Sequence, residues 1–346
     1  MALDQVSLDP PAPGKLKESF EERLSAVIGR LLPGSLLPVR SNRLTGGASQ
    51  ETWAIEVVAP RAVERLVLRR APGGGTGEPR QFAAGLKAEA QLLTLVRQHS
   101  VPAPEILYVL VPEDGLGKGY LMRHVAGETI ARKILRDSRF DAVRPRLAAR
   151  CGEVLARIHS IPTVACPALP SNTAVTRLAA LYKQYRHLDL PRPVFELAFQ
   201  WLRAHVLPDP EKLRLVHGDF RNGNLIIDET DLQAVLDWEL AHLGDPIEDL
   251  GWFCVPSWRF GEIDKEAGGF GRMDEFIAAY EEVSGMNVNR ASLLYWMVFG
   301  VLFWGISCLQ FAIDFRRGDR TVERAAIGRR ASETEIDLLT LIAPWG

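Results

Sequence analysis

The sequence predicts an α+β chain in which a small antiparallel, β-rich lobe precedes a larger, mostly helical lobe. Three observations support this. Residues 40–125 carry short β-branched or aromatic runs around one helical stretch. Beyond Gly127 the apolar spacing turns to three and four almost throughout. One short strand–loop–strand island, Leu213–Trp238, interrupts the helical part and gathers the densest polar cluster of the chain. The length, 346 residues, suits about two domains.

Residues 1–14 contain Pro10, Pro11, Pro13 and Gly14 and read as a strap rather than an element. Leu16, Phe20, Leu24 and Ile28 give residues 15–32 an amphipathic helix, stopped by Pro33 and Gly34. Arg40–Thr45, Glu51–Val58 and Glu64–Arg70 read as an antiparallel meander. A glycine-rich break at Pro72–Gly77 leads to a helix of about twenty residues ending near His99, with Phe82, Leu86, Ala90, Leu93 and Val96 on its apolar face. Two more strands follow, Glu105–Val111 and Gly119–Val125, around the turn Glu113-Asp114-Gly115. Helices are expected over 128–137, 142–160, 174–188, 193–206, 273–284, 291–315 and 331–343. The expected organisation is an N-terminal extension and helix over 1–37, a β-sheet lobe over 38–125 and a helical lobe over 126–346.

Apolar residues make up 47% and charged residues 24%, values of a globular chain that exclude wholly disordered and collagen-like classes. The formal net charge of −2 shows no Lys/Arg excess, so no nucleic-acid partner is expected. Cys151, Cys166, Cys254 and Cys308 form neither a zinc spacing nor a disulfide framework. They read as reduced thiols, and with no secretory signal in the first thirty residues the expected location is cytoplasmic. One segment argues otherwise: residues 291–313 are 23 uncharged positions, long enough to span a bilayer. Ser292, Ser307, Gln310 and two glycines, without a basic cluster on one flank, favour instead the central helix of a globular lobe, so no membrane partner is expected.

The island reads Leu215-Val216-His217-Gly218-Asp219-Phe220-Arg221-Asn222-Gly223-Asn224-Leu225-Ile226-Ile227-Asp228, with Asp237 thirteen residues past Asn224. Taken singly, an Asp after Gly and an Asn-Gly-Asn are turn formers. Together, with apolar residues pinning each side, they suit phosphoryl transfer. That chemistry needs a proton acceptor for the attacking hydroxyl, oxygen ligands for Mg²⁺ and cations against developing charge. Asp219 is placed as the acceptor, Asn224 and Asp237 as metal ligands, and Arg221 as a phosphate clamp. His217 reads as a buried, hydrogen-bonded structural residue.

The spacing Asp219-x4-Asn224 matches the kinase catalytic-loop signature. With Val235–Glu239, His217–Asn224 resembles the aminoglycoside phosphotransferase/choline kinase superfamily, a small-molecule branch of the protein-kinase-like bilobal fold. The string HGDFRNGN…VLDWELAHLGDPIEDLGW is similar in particular to the phosphotransferase domain fused to acyl-CoA dehydrogenases in animals and to its free-standing bacterial relatives. The resemblance covers roughly residues 38–315. It implies an ATP- and Mg²⁺-dependent enzyme with Asp219 as catalytic base and Asn224 and Asp237 on the metal. It makes residues 38–125 the nucleotide-binding lobe. Leu66-Val67-Leu68-Arg69 resembles the strand motif that normally ends in Lys; Arg69, or its neighbour Arg70, would take that role, paired with Glu89. Gly46, Gly47 and Ser49 would cover the phosphates, and Met122, Arg123 and Val125 would face adenine. Asp249 resembles the buried acid that braces the catalytic loop.

The expected activity is therefore phosphorylation of a hydroxyl on a small molecule. The acceptor lining should come from beyond Asp237. There Trp252, Phe253, Trp258, Arg259, Phe260 and Glu262 precede an aromatic helix with Tyr295, Trp296, Phe299, Phe303 and Trp304. That set is more apolar than acidic and favours a neutral or anionic, partly apolar acceptor such as a hydroxy acid or its thioester. The alternatives are an aminoglycoside or macrolide antibiotic kinase, a choline or homoserine kinase, and a non-catalytic nucleotide-binding pseudokinase.

Overall fold

A computed structural model of the chain describes residues 18–44, 50–75, 84–318 and 321–343. The described residues pack as two compact units, one within 1–76 and 110–121, the other within 77–109 and 122–346.

In the first unit, helix α1 (Phe20–Leu31) begins at a capping box. The Ser19 hydroxyl accepts from Glu22 N–H at 3.2 Å, and the Glu22 carboxylate accepts from Ser19 N–H at 2.7 Å. This fixes the first turn at Phe20, later than the apolar spacing alone suggests. The helix buries Leu24, Val27 and Ile28. Strands β1 (Arg40–Arg43), β2 (Glu51–Val58) and β3 (Val63–Arg70) form the expected meander, with Ile55 opposite Leu66 and Trp53 opposite Leu68.

The second unit begins with α2 (Leu86–Gln98), which buries Leu86, Ala90, Leu92, Leu93 and Val96, and with Glu89 on the same buried side. Strand β4 (Ile106–Val109) lies in this unit, while β5 (Gly119–Arg123) begins in the first, and the five-stranded sheet has the order β1-β2-β3-β5-β4. Helices α3 (Ala131–Arg136), α4 (Leu147–Ser160), α5 (Ala174–His187) and α6 (Pro193–Ala204) follow close to the expected positions.

The island resolves into two separate ribbons. Strand β6 (Arg214–Val216) pairs antiparallel with β9 (His242–Gly244), while β7 (Leu225–Ile227) and β8 (Leu232–Val235) make a hairpin. The loop 217–224 therefore runs from one ribbon to the other rather than turning between paired strands. β9 left no sequence signal: three residues, one a glycine, give neither alternation nor β-branching. Helix α7 (Ile247–Phe253) was also unexpected, because seven residues are too few to show a period. Helices α8 (Met273–Ser284), α9 (Arg290–Arg316), α10 (Val322–Gly328) and α11 (Ala331–Ile342) complete the unit, α10 being unexpected as well.

Helix α9 is the long apolar segment. By length and composition it could cross a membrane, yet 61% of its most apolar window is buried in this unit. It packs against α5, α6, α7, α10 and α11. Apolar residues all round the helix are what a helix covered by neighbours on most sides requires. The sequence expectation of a central core helix thus matches the packing.

Helices α4 and α8 approach closely at Gly152. A Cβ there would lie 2.3 Å from the Phe276 carbonyl oxygen, so a side chain at this position forces the helices apart. Gly152→Ala is expected to destabilise the fold by about 1–3 kcal/mol through overpacking. Urea denaturation checks it: the midpoint should fall at constant m, and an unchanged midpoint would mean α8 yields freely.

Candidate active site

The loop leaving β6 turns sharply at Gly218, whose φ is +81°. A Cβ there would meet the Leu240 carbonyl oxygen at 2.5 Å, so both the dihedral and the space require glycine. The turn aims two consecutive N–H groups at one buried acid. Asp249, on α7 and fully buried, accepts His217 N–H at 2.7 Å and Gly218 N–H at 2.9 Å. His159 on α4 donates to the same carboxylate at 3.1 Å from Nε2, and its Nδ1 accepts the Tyr280 hydroxyl of α8 at 3.0 Å. Burial alone would raise the Asp249 pKa, but the hydrogen bonds from His159 and from His217 N–H hold it below the usual carboxylate range.

His217 is fully buried and bridges the loop. Its Nε2 donates to Leu236 O at 3.0 Å and its Nδ1 accepts Asp219 N–H at 3.1 Å. One donor and one acceptor suit the neutral ring, and burial pushes its pKa down accordingly. The structural role expected for this histidine is what the geometry shows.

Asp219 sits next in line, its side chain 14% exposed. Oδ1 accepts Arg221 Nε at 3.0 Å and Trp252 Nε1 at 2.9 Å, while Oδ2 accepts Asn224 Nδ2 at 2.6 Å. Burial raises its pKa, against the Arg221 charge, and the like charge of Asp237 adds to the rise. Arg221 thus faces Asp219 and lies over the Trp258 ring, 4.8 Å from its centroid.

The Asn224 amide nitrogen also donates to Asp219 O at 3.0 Å, which turns its Oδ1 the other way. Leu236 N–H donates to Asn224 O at 2.8 Å, so Asp237 begins where Asn224 ends. Asp237 adopts φ 64°, ψ 63°, a left-handed conformation that costs a non-glycine residue energy and aims its side chain. The three residues singled out in the island are therefore neighbours. Among the described residues no group of three or more His, Cys, Asp or Glu is arranged to hold a metal ion. The Asp237 carboxylate and the Asn224 amide oxygen are hard donors. They fit a cation that keeps several waters, such as Mg²⁺, and not a zinc site.

A second buried chain escaped the sequence reading. On α7, Glu248 accepts Arg177 of α5 at 2.5 Å and meets His242 Nε2 at 3.2 Å. Despite burial, Arg177 and His242 hold Glu248 below its usual pKa. The Arg177 guanidinium lies 5.4 Å from the Phe299 ring centroid and 5.8 Å from that of Phe303. Phe303 in turn packs against Trp252 at 5.6 Å. Trp252 and Asp249 are three apart on α7, hence on one face, a spacing that could have flagged the tryptophan as a partner of the loop.

Of the remaining candidates, Gly46, Gly47 and Ser49 lie outside the described residues, as does Phe82 of the expected helix. Arg69 stands opposite Thr52 on β3. Arg70, pointing to the other face, pairs with Glu51 at 2.9 Å and stacks 4.3 Å over Phe20. Glu89 is not on a solvated helix face; it is 2% exposed. Met122 is buried, Arg123 pairs with Glu105 at 2.7 Å in solvent, and Val125 is half-buried.

Comparison with known proteins gives a consistent picture. The model of the family described as "Phosphotransferase enzyme family" matches residues 41–286. Mouse acyl-CoA dehydrogenase family member 10 is 30% identical over 251 residues, 69% of this chain but 22% of that protein. The chain thus spans well under half of this relative. Among solved structures, an aminoglycoside phosphotransferase candidate from Ralstonia eutropha superposes with a TM-score of 0.71 at 21% identity, covering 93% of this chain and 98% of that one. A thermostable mutant of aminoglycoside phosphotransferase APH(4)-Ia, in a ternary complex with AMP-PNP and hygromycin B, gives 0.58 at 16% identity, covering 91% and 98%. These likenesses show the α+β, kinase-like fold expected from the sequence.

Replacing Asp249 by Asn is expected to destabilise the protein by about 3 kcal/mol, because two backbone donors and His159 lose a buried charged acceptor. The pH dependence has a definite sign. The folded carboxyl holds its proton less tightly than the unfolded one, so its contribution is complete above about pH 4 and is lost as pH falls further. Urea titrations of both proteins should give a stability gap that is constant from neutral pH to about 5 and narrows in acid.

Proposed function

The chain belongs to the phosphotransferase enzyme family and is a small-molecule kinase, and from that premise we propose that Asp219 accepts the proton of an acceptor hydroxyl while the γ-phosphoryl group of ATP moves to its oxygen. The observation that carries this reading is the Asp219 carboxylate itself. It is held by Trp252, Arg221 and Asn224, and burial raises its proton affinity above that of an ordinary aspartate. As the O–P bond forms, the hydroxyl proton passes to Asp219 and the bond to the β-phosphate oxygen breaks, releasing ADP. A raised pKa improves a base acting near neutral pH.

Asn224, through the oxygen turned from Asp219, and Asp237 would hold Mg²⁺. The ion supplies charge neutralisation on the nucleotide phosphates when bound. Asn224 would then serve two ends, giving its nitrogen to the base and its oxygen to the cation. Arg221 keeps positive charge beside the base and the transferring group. ATP as donor is supported by the AMP-PNP complex of the hygromycin-binding neighbour.

For the acceptor we favour a partly apolar hydroxy acid or its thioester. Phe303, half-buried and packed against Trp252, supports an apolar ligand. So does likeness to a protein named for acyl-CoA dehydrogenation. The enzyme would work in the cytoplasm, where its four free thiols stay reduced.

Asp219→Asn is expected to lower kcat by about 10²–10⁴-fold while nucleotide still raises the melting temperature. Near-normal turnover in that variant would discard Asp219 as the base. The acid limb of kcat/KM, which reports the free enzyme, should lie above the ordinary aspartate value of about 3.9. Trp252→Phe removes a donor that favours the ionised carboxylate, so its acid limb should move further up; a limb moving down would contradict the assignment.

A further inference from the structure

We propose that the groove between α5 and α9 is the part of the acceptor site that recognises an anion, with Arg177 as its anchor, so that the acceptor is a hydroxylated molecule carrying an apolar chain and a carboxylate or phosphate. This deepens the kinase reading above and rests on it.

The groove has a volume of about 660 Å³, ample for a metabolite-sized ligand. One stripe of α5 and one of α9 form its walls. Arg177, Ala180, Gln184 and His187 recur at helical spacing on the first; Phe303, Gln310, Ile313 and Arg317 do so on the second. Among the described residues its charged lining is Arg177, Lys183 and Arg317, with no Asp or Glu. Leu188, Leu240, Phe303 and Ile313 supply the apolar part. Such a surface attracts an amphipathic anion and repels a polyamine.

Arg177 gives the groove a specific anchor. Its side chain is 10% exposed, and Nε is buried without a hydrogen-bond partner among the described residues. A buried guanidinium donor left unmet calls for an acceptor from elsewhere. The remaining fork is fixed by Glu248 and by the faces of Phe299 and Phe303, so the guanidinium is held in place before any ligand arrives. Glu248, its charge partner, does not line the groove. Lys183 and Arg317 are exposed and make no ion pair among the described residues.

The groove shares two of its residues with a space beside the catalytic loop. Arg177 and Phe303 border a small enclosed space together with Gly218 and Trp252. Trp252 donates to Asp219 at 2.9 Å. An anion on Arg177 would thus lie beside Phe303, which packs on the tryptophan that holds Asp219.

The test uses the full chain with Mg²⁺ and ATP, and three families of probe: hydroxy acids of about ten carbons with the hydroxyl at successive positions, their primary amides, and the matching hydroxyalkyl phosphates. The carboxylate or the phosphate should exceed the amide at least tenfold in kcat/KM, and the better of the two names the anion. The double variant Lys183→Gln/Arg317→Gln, both exposed positions that should fold normally, should raise KM for the anionic probe about tenfold. Its kcat, its KM for ATP and its KM for the amide should stay within twofold. Arg177→Lys, which keeps a charge for Glu248, should raise the same KM further. Equal use of amide and anion, an equal KM rise for both, or strong turnover of kanamycin would overturn the proposal while leaving the kinase reading intact. Should no probe be phosphorylated, calorimetric binding of anion against amide to the unmodified and double-variant proteins decides it. Charge-selective binding lost in the variant upholds the anion site although the kinase reading fails, and charge-blind or absent binding refutes it.

Discussion

The loop geometry depends on one buried carboxylate. Asp249 has no exposed surface, and taking its charge out of water is costly unless its oxygens are fully used. They are used by two consecutive backbone N–H groups and by His159. Consecutive N–H groups ordinarily point apart; the positive φ of Gly218 turns them the same way. The histidine between them then spans to Leu236 O, one residue before Asp237. A single acid on α7 thereby fixes where residue 219 leaves the ribbon and, through His217, where residue 237 begins. His159 and Tyr280 carry the network into α4 and α8, the helix pair that packs closely at Gly152.

Asp219 shows the opposite electrostatic balance within a few ångströms. Three donors surround it, as they do Asp249, yet burial prevails and its pKa rises. The difference lies in the neighbours. Asp249 receives short bonds from two main-chain N–H groups that cannot turn away, and a histidine. Asp219 shares Arg221 with the Trp258 face and has a second acid, Asp237, close enough to oppose its ionisation. Two acids in one site are thereby driven apart in proton affinity, one as a permanent anion and one as a group able to take a proton. That separation supports the proposed reading of Asp219 as the base and Asp249 as a brace.

The fold class and the central site were legible because their signals are local. Asp219, Asn224 and Asp237 sit within one stretch of nineteen residues, and the strands and long helices around them are periodic. What stayed hidden depends on distant partners. Arg177 lies 71 residues from Glu248, and His159 lies 90 from Asp249. No spacing rule links them. Elements too short to show a period, β9 and α7, were missed for the same reason, although they position His242, Glu248 and Asp249. Glu89, expected to pair with a strand arginine, is buried, and Arg221, expected to clamp a phosphate, contacts Asp219 and the Trp258 ring.

Helix α9 joins the fold to the acceptor question. A helix apolar on every side needs cover on every side, and five other helices supply most of it. Cover thins toward the C-terminal half, where Phe303, Gln310 and Ile313 are half-buried and fall on one face. This uncovered stripe is the wall of the groove, and it ends at Arg317. The composition that made the segment resemble a membrane span therefore does two things here. Over most of its length it builds a core. Over the last turns it leaves an apolar strip with a cation at one end and Arg177 across from it, a surface whose shape and charge match an amphipathic anion better than either lipid or a polyamine.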